Sequence, residues 1–95
     1  MLIDEVKTAL RISTSNTVYD MEIQTLIYAA RLDLIQAGIN PDKVNDDDDA
    51  LIKRAIITYC KAHFGYDNPE ADRFNDSYIM LKQHLSLYGD YQDAT

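Results

Sequence analysis

Apolar residues return every three or four positions through most of this 95-residue chain, and the pattern stops only at a glycine or a polar run. From Ala71 the series Phe74, Tyr78, Leu81, Leu85 and Tyr88 advances by 3, 4, 3, 4 and 3. That interval matches a helix of ~3.6 residues per turn and not the alternation of a strand. Four segments follow from it, at about 3–11, 18–37, 49–64 and 69–88.

Each segment has chemical start or stop signals. In the first, Leu2, Val6 and Leu10 share a face, Asp4 and Glu5 suit the positive end of the dipole, and RISTSN breaks the pattern. Thr17 and Asp20 have the spacing of a start signal for the second. Gly38 stops that segment, and Asn40-Pro41 marks the break. Gly65 stops the third. Asn68 suits an N-cap for the fourth, with Pro69 in the first helical position and Glu70 and Asp72 in the first turn. With 3 Gly, 2 Pro and 46% apolar residues, the expectation is an all-α fold. It is a small bundle of about four helices in a single domain over 1–95. The short acidic tail, residues 90–95, is expected to be mobile.

The helix faces carry more than the fold. Tyr19, Ile23, Leu26, Ile27, Ala30 and Leu34 form one apolar face of the second segment, and Met21, Tyr28, Leu32 and Ile35 a stripe opposite it. The third segment has Leu51, Ile52, Ala55, Ile56, Tyr59 and His63 on one side, with Ile57, Cys60 and Phe64 roughly opposite. A helix apolar on two sides must be covered on two sides. Either the first and last segments flank a central pair, or a second stripe meets another subunit. Tyr19, Tyr59 and Tyr78 fit the core. The candidate subunit or partner interface is Met21, Tyr28, Leu32, Ile35, Ile57, Phe64, Tyr66 and Tyr91.

The run Asp46 to Asp49 invites a metal reading that its spacing does not support. A calcium loop of the EF-hand type needs alternating oxygen ligands, a glycine at its sixth position and a glutamate at its twelfth. No register here supplies them. The run stands just before a helix, where carboxylates cap free N–H groups and meet the dipole. Cys60 and His63 could be half of a zinc site, but His84 is the one other histidine and there is no second cysteine. Cys60 reads as a small buried hydrophobe. No phosphate loop, nucleophile elbow or inward carboxylate pair is present, so no catalytic, metal or cofactor-binding residue is assigned and no enzyme is expected.

Sixteen acidic and 9 basic residues give a net charge of -7, which opposes non-specific binding to a phosphate backbone. Lys53, Arg54 and Lys61 share one side of the third segment, but Asp46–Asp49 precede them and oppose DNA at that helix's start. One cysteine and an acidic N-terminus fit a soluble intracellular protein, with no membrane span.

The order of these landmarks is itself informative. "VKTALRI" precedes a polar gap. "DMEIQTLIYAARLDLIQAGI" leads to an acidic loop, then "DDALIKRAIITYCKAHFGYDNPE" and "FNDSYIMLKQHLSLY". Over about residues 1–90 the chain resembles the small all-helical head–tail connector proteins of tailed bacteriophages and prophages, also called head-completion or adaptor proteins. The resemblance rests on "LRI", "LIYAA", "AIITYC" and "NP". It implies a structural virion protein that forms a ring under the portal, links it to stopper or tail components and extends the DNA channel. It implies no cofactor, no sequence-specific DNA binding, a place at the head–tail junction, and assembly in the bacterial cytoplasm. By the same analogy the tail from Gly89 orders on the portal. The short loop INPDKVNDD departs from family members with a longer one. The alternative reading is a small helical regulator or adaptor that binds one phage or host protein through the spare stripe.

Overall fold

The computed structural model describes residues 2–65 and 68–92. Within them lie α1 (Leu2–Ala9), α2 (Asp20–Gln36), α3 (Pro41–Val44), α4 (Ala50–His63) and α5 (Ala71–Leu87), then a 3-10 turn at Gly89–Tyr91. There is no strand among the described residues, and one antiparallel bridge joins Ile39 to Gln92. The all-helical reading holds. The single-turn helix α3 is an addition: its Pro41 stands at the start and the Asn40 side chain accepts from the Asp42 amide at 2.9 Å.

Helix α4 is the hub, packed against α1, α2 and α5. Its Ile52, Ile56 and Cys60 meet Ile23, Ile27 and Leu34 of α2, Val6 of α1, and Tyr78 and Leu85 of α5 in one buried cluster. Burying each large apolar side chain contributes about 1.5–3 kcal/mol, which is why the apolar faces read from the sequence decide the packing.

The helix ends follow local chemistry. The Gly38 amide donates to Ile35 and the Ile39 amide to Leu34, a paired closure that needs positive φ at Gly38, where it is 95°. Helix α1 closes in the same way through Arg11 and Ile12, with Arg11 itself at φ 63°. At α4 the Asp49 side chain accepts from the amides of Leu51 and Ile52, both at 3.1 Å. The aspartate run is therefore a cap, as expected. Asp46 turns the chain before it, accepting from the Asp48 amide, and Asp47 pairs with Arg31. Asp49→Ala is expected to destabilise the domain by about 2 kcal/mol, because it removes the cap and a second bond from Tyr91. Asp48→Ala is expected to cost less than about 0.5 kcal/mol. Equal losses by chemical denaturation would contradict this division.

Three expectations need correction. The Thr17 signal does not cap α2, which starts without a side-chain cap. Its Asp20 is instead taken by Lys7 at 2.8 Å. Helix α5 begins after Glu70 rather than at Pro69. Asn68 bridges back instead: its side chain accepts from the Glu70 amide and donates to the Lys61 carbonyl at 2.6 Å. The expected mobile tail is docked through Gln92, and residues 93–95 lie outside the described ones. Tyr91 is buried, its carbonyl accepts from the Asn40 amide at 2.7 Å, and its hydroxyl donates to Asp49 at 2.9 Å.

Lys7 is the other surprise. Only 2% exposed, it donates to Asp20 and to the Thr14 carbonyl at 3.1 Å. It fixes the polar connection after α1 to the start of α2.

Candidate interaction surfaces

Among the described residues, two uncovered surfaces stand out. The first is the outer side of α2. Ile23, Ile27, Ala30 and Leu34 face the core, and large residues at the helical interval on the other side are exposed. Val18, Met21, Tyr28 and Leu32 are 80%, 84%, 65% and 43% exposed. Met21, Thr25, Tyr28 and Leu32 advance by 4, 3 and 4 along α2, a continuous seam, and Val18 lies in the turn just before the helix. Large exposed apolar groups in one line mark a contact surface.

The second is a groove between α4 and α5 of about 660 Å³. Ile57, Phe74 and Leu81 form its floor, Met80 and His84 one wall, and Arg54 and Lys61 the other. Ile57 lies about 100° around α4 from Ile56 and about 140° from Ile52, so the groove opens off the face of α4 that enters the core. The Lys61 ammonium lies 5.3 Å from the Phe74 ring centroid. Lys53 pairs with Glu5 at 3.1 Å across the groove's end. Arg54 is exposed and has no carboxylate partner among the described residues. The groove is thus a basic strip on an acidic protein.

The candidate residues sort by position. Met21, Tyr28 and Leu32 are exposed on α2, while Ile35 at the end of the stripe packs partly against the core. Ile57 is half-buried in the groove floor. Phe64 is half-buried, with its ring edge-on to Tyr19 at 5.5 Å, so it is used within the domain. Tyr91 is not a free contact residue, because the fold takes up its ring and hydroxyl. Tyr66 lies outside the described residues. The basic groove was missed as a site: Lys53, Arg54 and Lys61 stood out in the sequence only as a weak case for DNA. Their spacing together with that of Phe74 and Leu81 was the available signal.

The titratable groups argue for structure rather than reaction chemistry. Burial pushes the Cys60 thiol up to about 12, so its thiolate is scarce near neutrality. His63 stacks on Tyr59 at 4.3 Å. No three His, Cys, Asp or Glu among the described residues could hold a metal ion. Asp33 on α2 accepts from Tyr78 at 2.5 Å and Lys82 at 3.0 Å, tying α2 to α5. Burial alone would raise its carboxyl, but those two partners outweigh it and the net direction is down. Burial, then the nearby carboxylates, raise Tyr78, and Tyr91 rises to about 12 for the same reasons. A phenol held protonated by the fold contributes stability below its ordinary value of 10.0 and loses it as pH climbs through the folded value. The melting temperature is expected to hold to about pH 9 and to fall by several degrees at about pH 11. A flat profile across that window would contradict the Tyr78–Asp33 and Tyr91–Asp49 contacts.

No helix among the described residues is long and apolar enough to cross a membrane. No curated protein and no solved structure matches the chain. The sequence model of the family described as "Phage connector protein" matches residues 2–92, nearly the whole length. A compact helical domain with uncovered apolar surfaces suits a structural virion component. The chain belongs to the phage connector protein family, whose role at the head–tail junction is structural rather than enzymatic.

Proposed function

We propose that the protein is a subunit of a ring that sits under the portal, joins it to the stopper or tail-completion protein, and lengthens the DNA channel. The observation that carries this reading is the pair of different uncovered surfaces on one small domain, the α2 seam and the α4–α5 groove. A ring subunit needs at least two different contact surfaces, because heterologous contacts close on themselves only when each copy offers both halves. Met21, Tyr28 and Leu32 supply one such surface and Ile57 lies in the other. An adaptor for one partner needs a single surface, so the second favours the ring.

Charge fits the channel role. A protein of net charge -7 repels phosphates, and DNA slides past without sequence-specific binding. No metal or cofactor takes part. The subunit assembles in the host cytoplasm and ends in the virion at the head–tail junction.

The reading is tested by removing the reading frame from an inducible genome and imaging the particles. Filled heads without tails, rescued when the protein is supplied in trans, are expected. Tailed infectious particles at the normal yield would overturn the proposal.

A further inference from the structure

The two open surfaces match one another. We infer that the α2 seam of one copy seats in the α4–α5 groove of the next copy, so that a single repeated helix-in-groove contact builds the assembly. This rests on the ring reading and adds to it which surfaces meet.

Three observations carry the pairing. The lengths agree. Met21 to Leu32 spans 11 residues of helix, and Ala50 to Lys61 along the groove also spans 11, each about 16 Å at ~1.5 Å per residue. The shapes agree, since a single helix seam fits the trough between two packed helices. The charges agree as well. Glu22 flanks the seam at one end, and at the other Arg31, next to Leu32 in the chain, pairs with Asp47 of the acidic loop. The groove offers Arg54 and Lys61, two turns apart on α4. Opposite charge favours the seam lying along the groove. The seam lies on α2 and the groove between α4 and α5, so the two halves of the contact are different surfaces. The contact is therefore head-to-tail, the kind that continues from copy to copy instead of stopping at a dimer.

The test is thiol pairing between copies. T25C places a thiol mid-seam and S77C places one mid-groove, both at exposed positions. Cys60 is buried and does not compete. The two single variants are mixed, with and without the portal protein encoded in the same DNA, and oxidised mildly. The expected result is a mixed dimer between the two variants, in several-fold excess over either self-paired dimer. The double variant is expected to give a ladder or a closed ring. Y28D, at an exposed site that leaves the fold intact, is expected to lower both cross-linking and self-association at least ~10-fold.

Portal-bound assemblies without the mixed dimer would overturn this pairing and leave the connector reading standing. So would self-paired T25C dimers, which point to a two-fold contact, and so would a portal segment cross-linked to S77C in place of a second copy. Failure to bind portal at all would overturn the connector reading itself.

Discussion

Replacing Tyr91 with alanine is expected to destabilise the domain by about 3–4 kcal/mol, because a buried ring and a hydrogen bond are lost together. The ring is 8% exposed and packs edge-on to Tyr88 at 5.6 Å, with the Lys43 ammonium 5.5 Å from its centroid. Its hydroxyl holds Asp49, which caps α4. One side chain thus fastens the C-terminal turn to the start of the hub helix and to the connection after α2. Alanine leaves a cavity and frees the turn, so the loss combines packing with a hydrogen bond. Tyr91→Phe keeps the ring and is expected to cost about 1 kcal/mol. For a domain of this size each ~1 kcal/mol moves the melting point by roughly 4–8 °C, so the alanine variant is separable from the phenylalanine variant in a simple melt. A melting point for Tyr91→Ala within a few degrees of the parent would mean that the C-terminal turn is not part of the fold. The same contact means that deleting residues 89–95 removes structure as well as any portal contact, so portal binding by the shortened chain needs a stability control.

Asp20→Ala is expected to cost about 3 kcal/mol and Lys7→Met only about 1 kcal/mol, although Lys7 is the more buried partner. The order follows from what each change leaves behind. Without Asp20, the Lys7 ammonium stays 2% exposed with one carbonyl, that of Thr14, for company. An unpaired buried cation is costly. Without Lys7, Asp20 is 37% exposed and returns to water, while methionine fills a similar volume. Denaturant titration of the two variants gives the comparison. A larger loss for Lys7→Met than for Asp20→Ala would contradict this account of the pair. Because Asp20 opens α2, its loss is also expected to loosen the N-terminal end of the seam around Met21.

The main helices were legible because their apolar spacing is regular and their ends are written in local chemistry. Gly38 and Asp49 act where they stand, through backbone groups within a few residues. The docked tail was not legible. Tyr91 reaches Asp49 and Asn40 from far along the chain, and a GDYQDAT sequence alone reads as solvated. Lys7 was missed for the same reason: a lysine in an amphipathic helix is ordinarily exposed, and its two partners lie beyond the helix. Thr17 looked like a cap, but the Lys7–Asp20 pair determines how α2 begins. Of the candidate contact residues, Met21, Tyr28 and Leu32 emerged exposed because the period of α2 placed them opposite its core face. Phe64 and Tyr91 differed, since aromatic residues at helix ends find partners that periodicity does not describe. The groove needed the packing of α4 on α5 before its basic wall and apolar floor could be seen as one surface.

The most direct measurement is co-migration of this protein with the portal assembly encoded in the same DNA, by size-exclusion chromatography with light scattering. A stable complex with one copy per portal subunit is the predicted result. Absence of binding at high concentration, with filled capsids as well as free portal, would contradict the connector account.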